Sequence, residues 1–231
     1  MTESLRAYEW WQILAVSVAL NAGSCMASVA FWGWMVRQRG VGAEVRSATN
    51  SELAWALGGN LTNTLCLIPV WWLWAKGYLP IEMPRFPRVV LECLYLLIAF
   101  DLIMYVVHRA FHYGYLYRLA HVVHHRTTTS MSSISLFVMH PIEAAGFASI
   151  MVALMWLWPV SVVSVGCFYA VNLLVGTLAH VPTQGPPKAA SIAQYFGGSA
   201  SHQEHHRVVS TNFGFFSTIW DRMFRTASGG I

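Results

Sequence analysis

Four apolar runs, at about 10–36, 53–75, 89–107 and 142–180, constrain this chain more than any other feature it has. A bilayer core is crossed by about 20 consecutive apolar helical residues, and the first three runs are each of that order. Of the 231 residues, 56% are hydrophobic and 10% charged, against about 25% charged in an ordinary soluble domain. The chain therefore reads as all-α, an integral membrane helical bundle of about four to five transmembrane or re-entrant helices. Trp10, Trp11, Trp32 and Trp34 flank the first run, and Trp71, Trp72 and Trp74 close the second; tryptophan favours both membrane interfaces. The fourth run is too long for one span. Pro159 divides it into two short helices, either two spans or a re-entrant hairpin.

The first run is longer than a signal-peptide core and lacks a basic segment before it, so it is expected to be an anchor and not a cleaved signal. Asn60, Thr62, Asn63 and Thr64 lie at membrane depth in the second run and are expected to face neighbouring helices. Cys25, Cys66, Cys93 and Cys167 all sit in apolar segments without a CxxC pair. They read as buried free thiols, neither a disulfide framework nor a zinc ribbon. Spans and polar segments alternate without a linker, which implies a single membrane domain. Within it, 1–88 carries N-terminal transmembrane helices, 89–226 a catalytic region and 227–231 a flexible tail.

All ten histidines fall between positions 108 and 206, and eight of them form three sets. These are His108 with His112, His121 with His124 and His125, and His202 with His205 and His206. Residues three and four apart share a helix face, so each set presents stacked imidazoles, and neutral imidazole is the commonest protein metal ligand. A lone histidine in an apolar protein is usually a hydrogen-bonded core residue; two copies of one spacing are another matter. Asp101, Tyr105, His108 and His112 form one helical stripe, which makes Asp101 a candidate to hold the outer ring nitrogen of a ligand. Asn172, Gly176 and His180 form another, ending in a histidine.

Orientation gives a consistency test. Placing His108 in the cytoplasm puts Arg37, Arg39, Arg46, Arg109, Arg118, Arg126, Lys188, Arg207, Arg222 and Arg225 on that side, and only Arg6, Lys76, Arg85 and Arg88 opposite. Ten against four obeys the positive-inside rule, and every histidine then lies at one face, carried by a cytoplasmic-side helical cap. The net charge of +4 is thus accounted for by topology. No nucleic-acid motif or basic run accompanies it.

Eight or more imidazoles with few carboxylates suit iron, copper or zinc rather than magnesium or calcium. A catalytic zinc takes three protein ligands, so a set this large fits two metal ions. Two irons against a bilayer suit O2 activation and attack on a C–H bond of a lipid entering sideways.

The combined pattern resembles the fatty acid hydroxylase/sterol desaturase superfamily over about 95–226. It comprises Asp101, Tyr105, His108-Arg109, His112, His121-x2-His124-His125, His140-Pro141-x-Glu143, His202-x2-His205-His206, Asn212-x-Gly214 and Trp220-Asp221-Arg222-x-Phe224. The resemblance implies a non-haem di-iron oxidase that hydroxylates or desaturates a sterol, fatty-acyl or sphingoid lipid with O2 and two electrons. It implies His108, His112, His121, His124, His125, His202, His205 and His206 as ligands to two iron ions, with His180 a further one and His140 completing the set or shaping a turn. Glu143, Asn172, Glu204, Asn212 and Asp221 join Asp101 as candidates to position ligands, with Glu204 equally readable as a solvent-facing helix residue. Gln184 stands where many members have another histidine, and Arg225 where glycine is usual. The three-residue gap between His108 and His112 is like the sterol branch.

Without a GxGxxG fingerprint or a haem segment, electrons are expected from an external donor, a cytochrome b5-like protein, ferredoxin or reductase, docking on Arg118, Arg126, Arg207 and Arg222. The expected location is a bacterial inner membrane, with the site facing the cytoplasm. The competing readings are a membrane metal transporter or binding protein, whose ligands would line a path near the midplane, and a membrane zinc hydrolase.

Overall fold

The computed structural model describes residues 9–42, 45–126, 131–183 and 192–228. Arg6, Gln184, Lys188 and residues 229–231 of the expected tail lie outside that set. Four helices are long and apolar enough to cross a membrane: α1 (Trp10–Arg39), α2 (Asn50–Ala75), α3 (Arg88–Phe111) and α5 (Val162–Ala179). Between the last two runs α4 (Pro141–Leu157), at 17 residues and about 26 Å, near the lower limit for a span.

Local chemistry sets where each helix begins and ends. α1 stops at Gly40, whose φ of 66° is the left-handed C-cap that glycine adopts without a Cβ penalty, and Arg37 and Arg39 sit in the last turn, where cations suit the helix dipole. At the start of α2, Thr49 Oγ1 accepts from the Glu52 amide at 3.2 Å and Glu52 Oε2 accepts from the Thr49 amide at 2.8 Å, a capping box. Three of the four polar residues at membrane depth in α2 turn back on their own helix. Asn60 donates to Ala56 O, Thr62 to Gly58 O and Thr64 to Asn60 O, at 3.0, 2.9 and 2.9 Å. A carbonyl one turn back is the nearest acceptor such short side chains have.

α3 is the central helix. Its buried positions Val89, Glu92, Leu96, Phe100, Asp101, Met104, Tyr105, His108 and Phe111 follow the three-and-four spacing of one face. Leu96, Phe100 and Met104 pack with Ile150 and Leu154 of α4 and Phe168 of α5 in the main apolar core. Strands β1 (Ile81–Glu82) and β2 (Val160–Ser161) pair in parallel, Ile81 opposite Val160. That pairing ties the α2–α3 turn to the α4–α5 turn, so both lie at one end of the bundle. Residues 142–180 are therefore two antiparallel helices hinged at Pro159. Arg88 locks this end, donating to Glu82 and to Pro159 O at 2.9 Å each and pairing with Glu92 at 2.9 Å.

The opposite end carries the cap. It consists of a winding segment at 114–125, a 3-10 turn (Ser135–Phe137), α6 (Ser199–Arg207) and α7 (Ile219–Met223). The segment 114–125 contains a π-turn (Tyr117–His121), a form common at functional sites. Among the described residues the bundle is all-α apart from the two-residue pairing and an isolated bridge between Phe196 and Ser217. One expectation changes. The free cysteines are half-buried, with Cys167 exposed, because an outward face of a membrane helix is apolar without burial in protein. Phe213 is buried, and Phe215 and Phe216 pack against the main core.

Candidate metal centre

Nine of the ten histidines meet in the cap, in two groups. His108, His112, His121, His125 and His205 form one; His124, His180, His202 and His206 form the other. Within each group the ligand atoms lie within 4.8 Å of one another. The division follows helical geometry. In 121–125 and in 202–206 the i,i+4 pair enters one group and the middle histidine points to the other, so each box straddles both. A facing ring pair joins the groups: His125 stacks on His206 with centroids 4.5 Å apart.

Five of the nine outer nitrogens are held by fixed acceptors. His108 Nδ1 donates to Phe213 O at 2.8 Å, His124 Nδ1 to Val138 O at 3.2 Å, His180 Nδ1 to Gly176 O at 2.8 Å and His205 Nδ1 to Thr211 O at 2.6 Å. His121 Nδ1 donates to Glu143 Oε1 at 2.8 Å. With that proton committed, each ring keeps only a lone pair on Nε2. Yet Nε2 of His121 lies 3.1 Å from that of His108 and 3.0 Å from that of His125. In the other group His180–His202, His202–His206 and His206–His124 stand at 3.1, 3.0 and 3.2 Å. His108 and His121 are both committed at Nδ1, so their lone pairs face one another at 3.1 Å and repel unless a cation lies among them. Two nitrogens about 2.1 Å from one ion and at right angles are about 3.0 Å apart, so the donor set fits two metal ions. His205 Nε2 and both ring nitrogens of His112 have no protein partner among the described residues.

The imidazoles are in the ligand form. Burial first, then neighbouring imidazoles, brings His112 down to about 3 and His180 to about 3, and burial brings His124 to about 4. His121, His125, His202, His205 and His206 are lowered further by the same causes. All nine are neutral at pH 7, and only a neutral imidazole has a lone pair to give.

Two carboxylates shape the segment that supplies the Thr211 and Phe213 carbonyls. Asp221 accepts from the Phe213 and Gly214 amides at 2.8 Å each and from Thr226 Oγ1 at 2.7 Å. Asp101, expected beside a histidine, instead accepts from Phe216 N, Ser217 N, Ser217 Oγ and Trp220 Nε1 at 2.7, 3.3, 2.6 and 2.9 Å. It lies seven residues, two helical turns, before His108 and reaches the far side of this loop. Asn212 sits between the two carbonyls at a φ of 56° and bonds Ser228 through both ends of its amide, at 3.1 and 3.0 Å. Gly214 is obligatory: a Cβ there would lie 2.1 Å from Ser217 O.

Other expected residues fall elsewhere. His140 is outside both groups; its Nδ1 caps α4 by accepting from Ile142 N at 3.2 Å, and its ring rests on Trp55 at 5.5 Å. Glu204 pairs with Arg207 at the exposed side of α6, at 2.6 and 2.8 Å. Asn172 is half-buried on α5, two turns from His180. Not anticipated were Trp32, Gln203 and Ser199, which donate to the carbonyls of His180 (2.8 Å), Val181 (2.9 Å) and Leu178. These satisfy the open carbonyls where α5 ends and fix the backbone of His180. Such contacts span as many as 148 residues and leave no local pattern.

Residues 93–226 match the model of the family described as fatty acid hydroxylase. The chain belongs to this family. The match starts inside α3 and runs through α7, leaving α1 and α2 outside it. Among curated proteins, methylsterol monooxygenase 1 of Danio rerio is 28% identical over 156 residues, 63% of this chain and 50% of its own. Cholesterol 25-hydroxylase of Rattus norvegicus is 26% identical over 160 residues, covering 67% and 53%. A very-long-chain aldehyde decarbonylase of Oryza sativa subsp. indica is 29% identical over 150 residues, covering 61% and 52%. The chain thus spans about half the length of these relatives. No solved structure matches it.

Proposed function

We propose that this fatty acid hydroxylase family member is a membrane di-iron oxygenase acting on a lipid of sterol, fatty-acyl or sphingoid type. The observation that carries the reading is the convergence of nine neutral imidazoles into two adjacent groups at one end of a bundle built for a bilayer. Clustering at one end also counts against a conduit for ions, whose ligands would be strung along the bundle. Methylsterol, cholesterol and long-chain aldehyde in the relatives' names support a lipid substrate. Bound iron would supply O2 activation with two electrons, so that R–H + O2 + 2 e− + 2 H+ gives R–OH + H2O. Desaturation of a CH2–CH2 unit consumes the same inputs and releases two waters.

The chain's own residues do the rest. Phe213, Thr211, Val138 and Gly176 carbonyls and the Glu143 carboxylate hold the rings so that no reorganisation is needed when an ion binds. His108, His112, His121, His125 and His205 would hold one ion and His124, His180, His202 and His206 the other. Phe111 and Phe213 lie against these rings, at 6.0 Å from His121 and 5.2 Å from His112, and keep water from that side. The catalytic region is 89–226, with 1–88 as supporting helices. The positive-inside rule supports a cytoplasmic cap, where an external donor of the cytochrome b5, ferredoxin or reductase type would reach exposed Arg118 and Arg126.

The test is metal analysis with Mössbauer and EPR spectra of protein purified from iron-supplemented cells, beside a His124→Ala/His205→Ala variant, followed by O2 uptake with a lipid panel. Two coupled irons per chain, lost in the variant, and lipid-dependent O2 uptake are expected. Stoichiometric zinc under iron-replete conditions would turn the reading toward a hydrolase, and absence of any metal would refute it.

A further inference from the structure

The two histidine groups differ in ligand number and, more sharply, in charge. In the four-histidine group the held outer nitrogens, those of His124 and His180, donate to backbone carbonyls. In the five-histidine group His108 and His205 do the same, but His121 donates to a carboxylate. His121 is the hub of its group, since its Nε2 is within 3.1 Å of two others. His121 and Glu143 are 1% and 2% exposed. The second oxygen of Glu143 has no partner among the described residues, and no arginine or lysine pairs with it there. A buried carboxylate without a countercharge is costly. The nearest group able to compensate it is a cation among the five imidazoles.

We propose that Glu143 makes the two metal positions unequal, so that the five-histidine group fills first and holds its ion more tightly than the four-histidine group. This rests on the two-metal reading above and adds to it which position is the stronger and which residue makes it so. The carboxylate acts through His121: it strengthens the imidazole as a donor and places a negative charge one ring away from the ion. Glu143 is a positioning residue and needs no contact with substrate. Its second consequence concerns the metal-free protein, where the second carboxyl oxygen stays buried without a partner among the described residues. Removing that charge weakens metal binding without weakening the metal-free fold.

The experiment titrates metal-stripped protein in nanodiscs with Co2+ against a competing chelator, using wild type and Glu143→Gln. Wild type is expected to take up two ions in separable steps. Glu143→Gln should loosen the tighter step ten- to a hundredfold, the range for lost ligand-orienting partners, and leave the weaker step in place. His108→Ala/His121→Ala should abolish the tighter step and His180→Ala/His202→Ala the weaker one. Thermal melting of the metal-free proteins should show Glu143→Gln at or above wild type. A lower melting point would mean that Glu143 serves the fold. Two equal steps, a tighter step surviving His108→Ala/His121→Ala, or equal loosening of both steps by Glu143→Gln would overturn this inference alone. Uptake of fewer than two ions by wild type would overturn it together with the two-metal reading.

Discussion

A histidine whose outer nitrogen is committed to a fixed acceptor can do one thing with its inner lone pair, and the acceptors decide where it points. That is why single residues remote from any metal matter here. Arg225 stands where glycine is usual in the family pattern, and its φ of 56° explains the usual glycine: the turn after α7 is left-handed. An L-residue there costs about 1 kcal/mol. Arg225→Gly should therefore stabilise the protein by about that amount, read as a higher melting temperature with metal content unchanged. Asp221→Asn replaces one acceptor oxygen with an N–H that faces the Phe213 or Gly214 amide. A loss of about 2 kcal/mol is expected, and displacement of Phe213 O should also lower metal content, measurable by elemental analysis.

Among the elements, the loop 211–228 is the one that α3 and α7 share. Asp101 gathers four donors from it and Asp221 three, so two carboxylates hold the carbonyls that orient His108 and His205. Asp101→Ala strands those donors in the protein and should cost about 3 kcal/mol or more. Helix content by circular dichroism should stay near wild type, because α3, α4 and α5 keep their apolar contacts with one another, while metal content falls. Gly197→Ala is as severe for a different reason: a Cβ there would sit 1.8 Å from Phe215 O, a clash that only a backbone shift relieves. Loss of bound metal with helices intact is the expected signature.

At the scale of the whole molecule, the fold keeps nine imidazoles neutral in its interior, and this makes the metal-free protein sensitive to acid. A free histidine titrates near 6.5, whereas His112, His180 and His124 are held at about 3, 3 and 4. Between these limits the unfolded chain binds protons that the folded chain refuses. Stability is therefore complete above pH 6.5 and declines as pH falls toward 4 and 3, by about 1.4 kcal/mol per pH unit for each such histidine. Chemical denaturation of stripped protein at pH 7.5, 6 and 5 should show that fall, and bound metal should shift its onset to lower pH. A flat profile would mean that the imidazoles reach water.

Much of this was legible in the residues themselves. The apolar runs set helix number and the Pro159 break, and the histidine spacing named every residue of both groups, since each depends on periods of three or four positions along one helix. His140 was nameable only as an alternative, because a residue before proline at a helix start serves equally as a cap. What tertiary structure alone decided was how the boxes divide between the two groups, that Glu143 and not Asp101 meets an imidazole, and that Trp32 of α1 braces His180. Those outcomes depend on backbone carbonyls, which every residue type carries alike, and on approaches between positions 22 to 148 residues apart. Helical periodicity carries information over one or two turns, and beyond that only the packed bundle determines which groups meet.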